Sequence, residues 1–162
     1  MCHNFNKIFK GADLSHVFCT KDSGLAIKSY SPELIVHPTL PCDYGMSIDY
    51  YAIRSNFLTE MKFWMQSLHG FVIGPGLGRN CLFDVLLDLL KLTNDENQIF
   101  LIDADGIYYF LNCEPLRKIL IEEKKNVFLS PNHGEFEKLW SFFMKEQGLL
   151  LLITLISKII CW

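Results

Sequence analysis

Residues 70–90 read GFVIGPGLGRNCLFDVLLDLL. A short apolar run, Gly70 to Ile73, meets a turn built on Gly74, Pro75, Gly76 and Gly78. Apolar residues then fall at 82, 85, 86, 89 and 90, the stripe of an amphipathic helix opening near Asn80. An apolar run without alternation is how a strand covered on both faces reads. Strand, glycine turn and helix together are the repeating half of an open α/β sheet.

The same grammar recurs on both sides. LSHVFC (14–19), ELIVH (33–37), QIFLID (98–103) and NVFLS (126–130) predict further strands. The segments between them have helical patterns. Ser47 to Leu68 is long enough for a helix, with Asp49 and Glu60 ahead of Lys62. Pro115 before LRKILIEEKK suits the first turn of another, and Glu122-Glu123-Lys124-Lys125 reads as its solvated end. Asn132 and Glu135 stand three apart, a capping-box variant, and Phe136, Leu139, Trp140, Phe143 and Met144 keep helical spacing after them. There are no internal repeats or low-complexity linkers. The prediction is an α/β fold with a mostly parallel sheet.

Composition agrees. The chain has 162 residues, 50% apolar, 14% aromatic and 20% charged, which suits one domain with a real core. It excludes a disordered chain, a collagen-like repeat and a small disulfide scaffold. A net charge of −3 and a pI near 5.9 argue against a nucleic-acid partner. The mean hydropathy of +0.19 is high, and much of the excess sits in Leu149 to Trp162, LLLLITLISKIICW. Lys158 interrupts that tail, which is shorter than the roughly 20 residues of a bilayer span, so no membrane partner is expected. No two of Cys2, Cys19, Cys42, Cys81, Cys113 and Cys161 lie closer than 17 residues, so zinc-ribbon spacing is absent and no metal site is predicted. They read as reduced thiols of an intracellular protein. The start, MCHNFNKIFKGADLSHVF, lacks the apolar stretch of a signal peptide, and Asp13 with almost no serine fits a mitochondrial presequence poorly. A cytoplasmic or mitochondrial setting is the expectation.

In a parallel α/β sheet, ligands bind beyond the carboxyl ends of the strands. Three such ends carry unusual residues. Gly74-Pro75-Gly76-Leu77-Gly78-Arg79 is G-x-G-x-G, neither the Rossmann G-x-G-x-x-G nor a Walker A loop. It reads either as a backbone cradle for an anion at a helix N-terminus or as a turn needing glycine for shape alone. Asp103-Ala104-Asp105-Gly106 places two carboxylates at a strand end. They read either as polar site groups or as a helix cap at Asp105 with Asp103 bonded to nearby backbone. Ser130-Pro131-Asn132-His133-Gly134-Glu135-Phe136 clusters polar groups on a first helical turn, as a site or as a cap with a solvated histidine. His16, His37 and His69 lie at strand or loop edges without a partner at ligand spacing.

Taken in order, GFVIGPGLGR, FLIDADGIYYF and VFLSPNHGEFEKL resemble the ATP-dependent NAD(P)H-hydrate dehydratases of the ribokinase-like superfamily. GADLSHVFC and IKSYSPELIVHP are similar to its eukaryotic members, so the resemblance runs from Gly11 to Trp140. It implies a three-layer α/β/α sandwich, here incomplete: a single partial domain over residues 1–162 with a divergent apolar tail at 148–162. It implies repair of hydrated NADH and NADPH. ATP phosphorylates the ring hydroxyl, and loss of phosphate restores the dihydropyridine. ATP and Mg²⁺ are the implied cofactors, and a homo-oligomer is an implied possibility. The resemblance places the hydrated dinucleotide on Gly76 and on Asn132, His133, Gly134, Glu135, Phe136, Glu137 and Lys138. The family usually has a larger residue at Gly134 and arginine at Lys138. Asp103 and Asp105 match its DADG, as a possible polar site without an assigned catalytic role.

The family's other motifs have no counterpart here. Members carry an N-terminal E-Y-T-G-A-P-Y-F-A segment, a K-G-x-x-D stretch for ATP and a G-G-Q-G-D-x-L-x-G run whose aspartate is the base. The last Asp of this chain is Asp105, and the only Gly after Gly134 is Gly148. The expectation is a shortened form, with no ATP-binding residues of its own and inactive alone. The alternative is a non-catalytic dinucleotide-binding or interaction fragment of the same family. An unrelated nicotinamide dehydrogenase fits poorly, because the glycine run sits in mid-chain.

Overall fold

The computed structural model describes residues 14–42, 48–79, 82–92, 98–123 and 126–145. The apolar tail, the N-terminal segment, Asn80, Lys124, Lys125 and the cysteines at 2, 81 and 161 lie outside them. The chain divides into two compact units, Met1–Phe57 and Leu58–Trp162.

In the first unit, β1 (His16–Phe18) crosses through α1 (Lys21–Tyr30) to β2 (Ile35–His37). The two strands pair in parallel, with Val17 opposite Val36 and Phe18 opposite His37. Val17, Ile35 and Val36 are β-branched and suit the pleat. Gly24 brings α1 close, since a Cβ there would sit 2.9 Å from Pro38 Cβ. Lys28 Nζ donates to Leu34 O at 2.8 Å and closes the turn into β2. Phe18 meets Phe57 edge-on, with ring centroids 6.3 Å apart. Phe57 lies on α2 (Ile48–Trp64), inside which the division between the units falls.

The second unit holds β3 (Gly70–Ile73), α3 (Phe83–Leu92), β4 (Ile99–Asp103), α4 (Asp105–Asn112) and α5 (Glu114–Lys118). A π-helical turn over Ile119–Glu123 leads to β5 (Asn126–Ser130) and α6 (His133–Lys145). The strands form one parallel sheet with β4 in the middle. Ile73 stands opposite Ile102, and Asp103 opposite Ser130. Pro115 lies in the first turn of α5, where a missing N–H is harmless. Arg117 Nη1 donates to the carbonyls of Phe110 and Leu111 at 3.1 and 3.2 Å, satisfying the open end of α4. Buried Gln98 donates to the carbonyls of Met65 and Leu68 after α2.

All five predicted strands are present and each pairing is parallel. Two expectations change. The strands of the second sheet are not evenly covered: Phe100, Ile102, Val127 and Leu129 are buried on one face, whereas Ile99 on the other is 48% exposed. Alternation is therefore real here, and the continuous apolar spelling hid it. The helix expected near Asn80 begins at Phe83. In the loop before it, the Leu77 and Gly78 amides are bonded to Gly74 O and to the Asp105 carboxylate.

Candidate functional site at the carboxyl edge of the second sheet

Parallel pairing in register brings the turns after β3, β4 and β5 to one edge. The first turn is held by its own chemistry. Leu77 N–H donates to Gly74 O at 2.9 Å, with Pro75 second and Gly76 third at φ +71. That is the signature of a type II turn. A Cβ on Gly76 or on Gly78 (φ +79) would meet nothing within 4 Å. Gly74, at φ +130, differs, because a Cβ there would collide with Asp103 O and Gly106 N.

The second turn reaches across to the first. Asp105 Oδ2 accepts the Gly78 N–H at 3.0 Å, and its Oδ1 accepts Arg79 Nε at 3.0 Å. The guanidinium also lies 5.0 Å from the centroid of the Tyr108 ring. Asp105 is the first residue of α4 and does not cap it; Ala104 is the N-cap and makes no side-chain cap bond. The carboxylate is spent on the glycine loop, 27 and 26 residues away in sequence.

Asp103 does bond nearby backbone, its Oδ1 accepting Ala104 N–H at 2.9 Å. Ala104 sits at φ +47 and ψ −118, a conformation that costs a Cβ-bearing residue on the order of 1–3 kcal/mol. The Asp103 carboxyl titrates above the usual range. Burial raises it most, the Ala104 N–H opposes this, and the charge of Glu135 adds to the rise. The second and third turns thus sense each other through charge.

The third turn is a complete capping box. Asn132 Oδ1 accepts Glu135 N–H at 3.0 Å, and Glu135 Oε2 accepts Asn132 N–H at 2.9 Å. This fixes the start of α6. His133 Nε2 lies 3.3 Å from Glu137 Oε1, both side chains largely exposed. Phe136 stacks on Trp140, with centroids 6.3 Å apart. Gly134 and Lys138 are exposed on the same helix. Among the described residues, no group of three His, Cys, Asp or Glu side chains could hold a metal ion.

His16 and His37 are partners after all. His16 Nδ1 and His37 Nε2 lie 2.9 Å apart, and Phe18 stacks on His37 with centroids 4.5 Å apart. Parallel register after a crossover joins residues 21 apart, a spacing no local motif reveals. Asp105 was singled out by its sequence, but Arg79, Tyr108 and the bond to Gly78 were not. The signal for them was the arginine that closes the glycine run.

The profile of the NAD(P)H-hydrate dehydratase family matches residues 8–158. A Sorghum bicolor protein named ATP-dependent (S)-NAD(P)H-hydrate dehydratase is 40% identical over 156 residues, covering 92% of this chain and 40% of its own. The protein of that name from Mus musculus is 40% identical over 134 residues, covering 80% of this chain and 34% of its own. This chain therefore spans roughly two fifths or less of the length of these curated relatives. A ribokinase-like superfamily protein from Enterococcus faecalis superposes with a TM-score of 0.58 at 19% identity, covering 82% of this chain and 39% of its own. That likeness shows a ribokinase-like α/β fold.

Proposed function

This chain belongs to the NAD(P)H-hydrate dehydratase family, and we propose that it supplies the dinucleotide side of ATP-dependent repair of hydrated NADH and NADPH. The observation that carries the reading is the convergence of three turns on one sheet edge, with the Gly74–Arg79 loop tied to Asp105. Gly76 leaves backbone open to an approaching ligand, and the start of α6 presents Asn132 through Lys138 at the same sheet edge, with the turn after β4 between them. Asn132 and Glu135 spend side-chain oxygens on each other, so they serve the ligand by holding the helix start in place. His133, Glu137 and Lys138 are exposed and available for direct contact.

A hydroxyl leaves poorly and a phosphate leaves well, so phosphoryl transfer from ATP makes the elimination possible. Transfer of this kind depends on positioning, a base and charge stabilisation. These residues bind and orient. The chain has no G-G-Q-G-D run and no Asp after Asp105 to act as the base. Dinucleotide binding without turnover is the proposed behaviour of these 162 residues. The free thiols of Cys19, Cys42 and Cys113 support an intracellular setting.

Calorimetry with NADP⁺ and, separately, with ATP tests the binding. Incubation with hydrated NADH, ATP and Mg²⁺, followed at the reduced-nicotinamide band, tests the chemistry. Binding of NADP⁺ with no recovery of absorbance supports the proposal. Recovery well above background removes the need for the missing aspartate.

A further inference from the structure

Arg79 is held in an unusual way for an exposed arginine. Its Nε edge is taken by Asp105 Oδ1 at 3.0 Å, and one face of its guanidinium is covered by the Tyr108 ring at 5.0 Å. The same Asp105 carboxylate takes the Gly78 N–H, so the position of the guanidinium is set relative to the glycine turn. Its terminal Nη groups make no hydrogen bond among the described residues. The Arg79 side chain is 59% exposed and that of Asp105 24%, so the carboxylate is the more sheltered partner and the guanidinium the more open one.

A guanidinium carries five N–H donors in a rigid fork that matches a phosphate. Holding it by one edge and one face removes much of the freedom that an arginine loses on binding. It stands next to Gly78 and three residues from Gly76, where an added Cβ would meet no described atom within 4 Å.

We propose that Arg79 contacts a phosphate group of the bound nucleotide, and that Asp105 and Tyr108 are positioning residues that aim it. Assigning that phosphate to the hydrated dinucleotide rests on the function proposed above. Lysine cannot substitute fully, because it has no Nε–H for Asp105 and no planar group for Tyr108. Asp105 does not stand in for the phosphate, because it occupies the sheltered edge and leaves the outer donors open.

The test is calorimetry on the full 162-residue chain and on R79A, R79K, D105N and Y108L, with NADP⁺, ATP and pyrophosphate as probes. Circular dichroism checks each fold. R79A is expected to bind NADP⁺ and pyrophosphate about tenfold or more weakly, with R79K recovering only part. The salt dependence of NADP⁺ binding is expected to flatten in R79A, which a structural role would not produce. D105N keeps an acceptor for Gly78 and is expected to weaken binding several-fold. Unchanged NADP⁺ and pyrophosphate affinity in R79A overturns the inference while leaving dinucleotide binding intact. Wild-type binding of pyrophosphate but not NADP⁺, lost in R79A, overturns the dinucleotide reading and keeps Arg79. A loss confined to ATP moves the contact to the triphosphate and overturns the assignment to the dinucleotide. Tighter binding by D105N makes the carboxylate a competitor and overturns its positioning role.

Discussion

Gly74 has no room for a side chain, because Gly106 N lies in the space one would fill. A Cβ on Gly74 would strike Gly106 N and Asp103 O, and a Cβ on Gly106 would strike Ile73 O. The end of β3 and the first turn of α4 therefore pack main chain against main chain. This contact sets where the Gly74–Arg79 loop leaves the sheet, and so where Asp105 finds it.

Two classes of glycine follow. Gly74→Ala and Gly106→Ala are expected to destabilise the chain by about 3 kcal/mol or more, because backbone cannot move aside. Gly76→Ala and Gly78→Ala meet open space and bear only the left-handed backbone, at about 1–2 kcal/mol each. Urea midpoints measure both. Equal losses across the four would show that packing does not distinguish them.

The capping box makes the next case. Asn132→Ala removes the acceptor for Glu135 N–H and is expected to cost about 1 kcal/mol, whereas Asn132→Asp keeps the cap and is nearly neutral. Glu135→Ala removes the reciprocal bond to Asn132 N–H. The two losses are expected to combine non-additively in a double-mutant cycle. Strict additivity would mean that the bonds form independently.

What the sequence made legible was local. The five strands, the proline in the first turn of α5 and the Asn132–Glu135 box all depend on residues within a few positions of each other. The Asp105–Gly78 bond and the His16–His37 pair join residues 27 and 21 apart. They depend on sheet register and on which way a turn faces, and periodicity carries neither. The glycine run showed the same limit. Its spelling could not tell Gly74, held by packing, from Gly76, held by turn conformation alone.

Gly134 is the exception among the site glycines. It lies in the first turn of α6 without a left-handed φ, and a Cβ would rest 3.7 Å from Asn132 Oδ1, an ordinary contact. Gly134→Ala is expected to stabilise the chain by about 0.4–1 kcal/mol through reduced freedom of the unfolded chain. Dinucleotide affinity should hold if the contact there is through backbone. A drop in stability would mean that the helix start needs glycine for a reason the geometry does not show.

Asp103 bears a cost at neutral pH. Its carboxyl titrates higher in the fold than in the unfolded chain, chiefly from burial. Its favourable contribution is therefore complete at low pH and is lost as pH rises through the raised value. Asp103→Asn keeps an acceptor for Ala104 N–H and removes the charge beside Glu135. It is expected to raise the thermal midpoint near pH 7, whereas Asp103→Ala lowers it by orphaning an N–H at a strained residue. A lower midpoint for Asp103→Asn would point to an unfilled need for that charge.

His16 gives the opposite sign. Burial lowers its pKa most, and the neighbouring His37 lowers it further. The unfolded chain, with an ordinary histidine near about 6.5, then binds the proton more readily than the fold does. The stabilising contribution is present above that value and is lost as pH falls toward the depressed one. His16→Gln cannot titrate, so its thermal midpoint is expected to fall less than that of the wild type between about pH 7.5 and about pH 5.5. Asp103 gains with acid, so it cannot produce the same loss. Scanning calorimetry at the two pH values reads the difference. An identical drop in both proteins would place the acid sensitivity elsewhere than the His16–His37 pair.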